Sequence, residues 1–322
     1  MAALTLAEAQ KLTTNDLQPG LIESLITRSM ILEKLPFVPF VGDNFEFNRE
    51  NTRGTASWED PDAELSTQAS TFTNVTVAAR YLYRTVDVPH PLQRGLSNVT
   101  DQTMVQMDEA MLAVRDEFLD AFYYGVNSNN SKTPDGLHTL IDNITVPTGA
   151  SRPRVQRATG ATNQGIRLQD FDNMIFTLMK RGVDLITMHS TVFRLMQSGI
   201  RSTSVSGTIN YMLNDLGKPM PAYGGFPIGI DDSIRITETA ASGAYSSATG
   251  SDGTSVFFHR FGDTFLHGLQ QTAGPVVDGP MELHNKDSVR LRIKWYVTPC
   301  VLRSLYSCGK IDGVLNTTAV VA

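Results

Sequence analysis

The chain has 322 residues, of which 41% are hydrophobic and 19% charged, with a formal net charge of −6 and two cysteines. That length allows one large domain or two smaller ones with a sizeable core, at an apolar share ordinary for a globular chain. The acidic balance, without any long basic block, argues against a free-standing nucleic-acid binder that lives on phosphate contacts.

No apolar run approaches the roughly 18 residues of a membrane-spanning helix. Met1-Ala-Ala-Leu leads into Glu8, Lys11 and Asp16, which lacks the charged-then-apolar order of a secretion signal. Cys300 and Cys308 suit a reducing compartment and pair only if the fold brings them together.

Residues 1–42 are mildly polar, turn helical in pattern over 21–35, and are halted by Pro36 and Pro39, so they read as an N-terminal arm. Over 43–88, Phe45 and Phe47 alternate with polar neighbours. Further on, Val75, Val77, Ala79, Tyr81 and Tyr83 do the same. Two half-buried strands of a hairpin are predicted. Between them lies a stretch with no helical or strand period, including the run Trp58-Glu59-Asp60-Pro61-Asp62-Ala63-Glu64. Loops of that length are usually binding elements, and a lone two-stranded hairpin is marginal in water. The hairpin is therefore expected to project from its own subunit and be held by another, which points to assembly before catalysis.

The strongest predicted helix spans 100–124, with Asn98 or Thr100 as cap and Gly125 as stop. Met104, Met107, Met111, Val114, Phe118, Ala121 and Phe122 recur at three- and four-residue steps and are expected to face the core. Turn-rich breaks at 127–135 and 148–165 follow, the second carrying Arg152, Arg154 and Arg157. Next comes an α/β block: a helix bearing Leu168, Phe171, Ile175 and Leu178, an apolar run at 183–188, and a shorter helix for which Ser190 is the expected cap. Short strands punctuated by Gly224, Gly225 and Gly229 occupy 207–236, a polar loop 240–254, and strand character resumes over 256–269. Last, VRLRIKWYV at 289–297 alternates cleanly, with Val289, Leu291, Ile293, Trp295 and Val297 on one face.

This order of elements resembles the major capsid proteins of tailed phages, the Hong Kong 97-type fold. YGGFPIGIDDSIRI (223–236) is similar to the glycine–proline strand of that family's central domain. SVFFHRFGDTFLHGL (255–269) and VRLRIKWYVTPCVLRSLYSCGKI (289–311) resemble its last stretches. The resemblance implies an α+β chain divided into an N-terminal arm at 1–42 and an extended loop at 43–88. A peripheral domain would follow at 89–136 with 275–311, then an axial domain at 137–274 and a tail at 312–322. It also implies a shell subunit that assembles with itself into hexamers and pentamers around double-stranded DNA touched non-specifically on the inner face. Portal, scaffolding and decoration proteins would be its partners, and the chain would be made in a bacterial cytoplasm and end in the virion. An encapsulin-like nanocompartment shell shares the fold; an α/β enzyme is the third reading.

Catalytic signatures are missing from the sequence. The position five residues before the glycine of Gly217-Lys218 is Met212, and before that of Gly309-Lys310 it is Ser304, so neither forms a phosphate loop. The six histidines show no zinc spacing, and Gly262 is expected to break the strand linking His259 to His267. Neither catalytic residues nor cofactors are expected. The acidic cluster Glu59, Asp60, Asp62 and Glu64 reads either as a solvated loop or as a surface meeting basic side chains of a neighbour, with Arg152, Arg154 and Arg157 as candidates. Trp58 favours contact, since tryptophan is enriched among interface anchors. Some members of the resembled family join a lysine of the extended loop to an asparagine of a neighbour. This chain has no lysine between Lys34 and Lys132, so no such bond is expected.

Overall fold

The computed structural model describes residues 30–52, 54–61, 67–91, 94, 102–147, 150–157, 165–201, 209–213, 219–238, 253–271 and 275–316. Most of the expected N-terminal arm, the helix caps at Asn98 and Thr100, Asp62, Glu64 and nearly all of the 240–254 loop lie outside them.

A short helix α1 (Met30–Lys34) leads into strand β1 (Phe37–Pro39), then the hairpin strands β2 (Asn44–Thr52) and β3 (Thr71–Ala78). These two pair antiparallel, from Asn44 opposite Ala78 to Thr52 opposite Thr71, as a two-stranded sheet of their own. The second arm expected as one strand is divided. At Ala79 the backbone N–H donates to Asp43 O at 2.7 Å, and the Arg80 carbonyl accepts from Val297 N at 3.1 Å. The chain is thereby handed from one sheet to another, and Tyr81 and Tyr83 leave the hairpin for strand β4 (Tyr81–Pro89).

Helix α2 (Gln102–Tyr124) runs 23 residues and stops before Gly125, as its sequence predicts. A Cβ at Gly125 would lie 2.2 Å from Pro134 O and 2.6 Å from Ala121 O, so the chain can turn there only without a side chain. Its apolar stripe is only partly core. Val114, Phe118, Ala121 and Phe122 are buried and Met107 packs against them, but Met104 and Met111 face solvent. The C-terminal half is enclosed on several sides, with Phe118 stacked on Trp295 at 4.8 Å and Tyr123 against Phe257 at 5.1 Å. The N-terminal half is covered along a narrower strip.

The remaining elements are α3 (Leu137–Asn143), β5 (Arg154–Gln156), α4 (Leu168–Asp172) continuing as a π-helical turn over Asn173–Leu178, β6 (Leu185–Met188) and α5 (Ser190–Arg201). Strands β7 (Ile209–Leu213), β8 (Pro219–Tyr223), β9 (Phe226–Ile230), β10 (Gly253–His259), β11 (Leu266–Gln270), β12 (Val276–Glu282), β13 (Ser288–Leu302) and β14 (Cys308–Leu315) follow. Ser190 is the first helical residue rather than the cap. His189 caps α5 instead, accepting from Thr191 N through Nδ1 at 3.0 Å, while Ser190 N donates to Asp232 at 3.2 Å.

A seven-stranded sheet in the order β5-β14-β10-β6-β9-β8-β7 forms the centre of one core. A second sheet, β1-β11-β13-β12 with β4 also on β13, backs the α2 core. Strand β13 serves both ends of that sheet: residues 288–296 pair with β4, and 297–302 pair with β11.

Candidate assembly interface

Phe45, Phe47, Val75 and Val77 point the same way at the base of the hairpin because side chains alternate along a strand. There they meet Leu269, Val301, Val38 and Phe40 in a small third core. Arg303 lies over the Phe45 and Phe47 rings, and Arg49 donates to the carbonyl of Leu302. The base is thus bolted to its own subunit at β11 and β13.

The tip is not. Side chains continue the ladder past the strands, with Gly54 N donating to Ser70 Oγ at 3.1 Å and Thr55 N to Gln68 Oε1 at 3.1 Å. Beyond them Trp58 is fully exposed, at 103% of its reference area, with Glu59 and Asp60 exposed beside it. Ser57 Oγ donates to Glu59 Oε1 at 2.6 Å. A tryptophan entirely in water forfeits the burial that makes it valuable, roughly 2–3 kcal/mol for a large apolar side chain.

Two of the three candidate arginines are engaged within their own chain. Arg154 binds Asp312 through Nε at 2.7 Å and Asp142 through Nη1 at 3.0 Å. Arg157 binds Asp170 at 3.2 Å and the Gly165 carbonyl at 3.1 Å. Arg152 is exposed.

Arg154 is part of a buried polar cluster that pattern reading missed. Lys310 of β14 has no exposed surface. Its Nζ donates to Asp142 at 2.8 Å and to the His138 carbonyl at 3.4 Å, and lies 3.5 Å from Asp312. Burial pulls the Lys310 amine below its ordinary pKa, while Asp312 and Asp142 oppose the shift. Next to it, Tyr124 at the end of α2 and Ser255 of β10 both donate to Glu238, and His138 Nε2 sits 3.5 Å from the same carboxylate. Burial pushes the Tyr124 hydroxyl up, and Glu238 adds to the effect. These contacts clamp α2, α3, β5, β10 and β14 in one register. Lys310 and Asp312, two apart on an otherwise apolar strand, were the signal available in the sequence.

His259 and His267 lie on different strands, β10 and β11, as Gly262 between them predicts. His259 is fully buried with Thr187 Oγ1 at 2.8 Å, and burial takes its pKa to about 3. Cys300 and Cys308 are both free and buried. Among the described residues, no group of three or more His, Cys, Asp or Glu is placed to hold a metal, and no helix is long and apolar enough to cross a membrane.

No protein-family model matches this chain, and no curated protein does. Solved structures do. A chain of the holo-SrpI encapsulin complex from Synechococcus elongatus PCC 7942 aligns over 100% of this chain and 99% of its own, with a TM-score of 0.67 and 14% identity. A chain from Mycobacterium phage Adephagia aligns over 100% and 99%, with a TM-score of 0.59 and 14% identity. The capsid of the native GTA particle aligns over 88% and 89%, with a TM-score of 0.57 and 13% identity. The architecture is the Hong Kong 97-type capsid fold, spread over the whole chain as the order of its elements implies.

Proposed function

We propose that this chain is a non-enzymatic shell subunit, the major capsid protein of a tailed phage. It self-assembles into hexameric and pentameric capsomers of an icosahedral head enclosing double-stranded DNA. The observation that carries this reading is the alignment of 88% of the chain on a capsid chain and 100% on an encapsulin chain, joined to a hairpin whose base is anchored and whose Trp58 is exposed. Head-to-tail contacts that close at both five and six copies build a shell. Many weak contacts repeated around it hold one another in place. In this reading the extended loop is the hairpin over 43–78, shorter than the expected 43–88 because residues 81–89 pair with β13. The sheet of β4, β12 and β13 with α2 makes the peripheral domain and the seven-stranded sheet the axial one, so that β14 moves to the axial side and β11 to the sheet of β13, against the expected bounds. Portal and scaffolding proteins are the remaining partners, DNA contact is non-specific, and the chain ends in the virion.

The higher TM-score of the encapsulin chain favours a second reading, a compartment shell around protein cargo. Negative-stain electron microscopy of the expressed protein tests both. Closed shells, tubes or capsomer rings support assembly, and a monomer at every concentration overturns it. Particles recovered from the native source with DNA inside favour the phage head; particles with a cargo enzyme favour the compartment.

A further inference from the structure

Where the hairpin joins the body, its base, the turn-rich stretch after α2 and strand β13 line a cavity of about 250 Å³. Two guanidinium groups share that cavity, Arg49 of β2 and Arg80 of the hand-over between β3 and β4. Arg49 follows Phe45 and Phe47 at two-residue steps, so strand alternation turns it onto the same inward face. Its guanidinium lies 5.6 Å from the Phe47 ring centre and donates to the Leu302 carbonyl. The Arg49 Nε is buried with no hydrogen-bond partner among the described residues. Arg80 is held at one corner, where Nη2 donates to Asn127 Oδ1 at 3.0 Å. Neither arginine makes an ion pair among the described residues. One carboxylate lines the same cavity, Asp135, which accepts from Asn127 N at 2.8 Å. Two cations against one carboxylate leave the cavity net positive.

We propose that this cavity binds a compact, multiply charged oxyanion of the phosphate class, held between Arg49 and Arg80. Native proteins leave few buried donors unpaired, and a bound ion is one way such a donor is satisfied. Burial also disfavours the charge on Arg49, and an anion beside it offsets that cost. The planar guanidinium fork matches two oxygens of a phosphate at once, which an ammonium does not. The volume falls just below the roughly 300–1,000 Å³ of drug-sized sites, which suits phosphate or pyrophosphate rather than a whole nucleotide. Arg49 belongs to the hairpin and Arg80 to its exit, while Asn127, which holds Arg80, belongs to the body. An ion gripped by both arginines fastens the base of the hairpin and narrows the angles at which it leaves the subunit. The site is built within one chain, so it stands whether or not the shell reading does.

The test is calorimetric titration of the full-length chain with pyrophosphate and with inorganic phosphate, against sodium chloride at matched ionic strength. Saturable binding of one ion per chain is expected, and a response no larger than that to chloride overturns the site. Arg80→Gln is expected to weaken pyrophosphate binding by about tenfold or more, the worth of a hydrogen bond to a charged group. Unchanged affinity in that variant places the ion elsewhere and overturns the proposal. Asp135→Asn keeps an acceptor for Asn127 N while removing a negative charge from the wall, and is expected to tighten binding about threefold. A merely structural role for Asp135 gives no such gain, and equal or weaker binding counts against the site. Hydrogen exchange over 44–52 and 71–78 is expected to slow when pyrophosphate is bound; no slowing overturns the fastening. If a short DNA duplex binds through Arg80 and pyrophosphate does not, the cavity serves nucleic acid and the proposal fails.

Discussion

Lys310 Nζ lies 2.8 Å from the Asp142 carboxylate with no solvent contact of its own, and so ties the last strand to the helix that follows α2. Arg154 bridges the same aspartate to Asp312, so two cations and two carboxylates close a neutral quartet. Breaking such a buried set by removing one member costs about 3–5 kcal/mol, because a charge is left without compensation. Asp312→Ala is expected to lose that much in urea denaturation at fixed protein concentration. Replacing Lys310, Arg154, Asp142 and Asp312 together by apolar residues of similar volume is expected to cost less.

Acid is expected to destabilise the subunit through its buried histidines. Burial takes His259 from 6.5 to about 3 and also lowers His138, where Glu238 opposes the shift. Between 6.5 and about 3 the unfolded chain binds a proton at His259 that the folded chain refuses. For His259 the stabilisation is therefore complete above pH 6.5 and is lost as pH falls towards 3, at about 1.4 kcal/mol per pH unit. His259→Gln is expected to flatten the dependence by about one proton between roughly pH 4 and pH 6. Denaturation midpoints across that range measure it.

Trp58→Ala separates assembly from folding. An entirely exposed side chain contributes little to its own subunit, so the unassembled protein is expected to change by less than about 0.5 kcal/mol. A buried interface anchor is worth about 2 kcal/mol or more, which raises the concentration needed for assembly by roughly thirtyfold. Light scattering against protein concentration reads the second effect and thermal melting the first.

Gly125→Ala is expected to cost about 3 kcal/mol, at the upper end for forcing extra atoms into a packed site. Both obstructing atoms are backbone carbonyls and neither can swing aside. A lower melting temperature with little soluble protein is the expected result.

Assembled particles boiled in denaturant are expected to run as the single chain. No lysine is available to the projecting hairpin, since none occurs between Lys34 and Lys132. A covalent ladder in wild-type particles would show that cross-linking chemistry of another kind operates.

Much of this arrangement was legible in the sequence, because periodicity and chain stops report local constraint. Helix α2 ends at the glycine that marks it, β13 alternates as written, and the hairpin registers Phe45 and Phe47 against Val77 and Val75. What escaped depends on partners distant in the chain. Tyr81 and Tyr83 continue the alternation of β3 without a break, and only the hand-over from Asp43 to Val297 shows that they belong to another sheet. Arg154 looked like a surface arginine in a turn-rich stretch, whereas its carboxylates come from positions 142 and 312. Met104 and Met111 fit the stripe, yet burial there depends on how far neighbouring layers extend along the helix.

The fifteen residues of β13 link the pairing with β4 at one end to the foundation of the hairpin at the other. The ribbon is about 50 Å long. Its pairing with β11 shifts register between Thr298 and Val301, around Pro299. A bulge bends the strand that carries it, so this is the point about which the two halves can swing. A copy wedged into a tighter ring would aim its hairpin differently from one in a flatter ring by bending there.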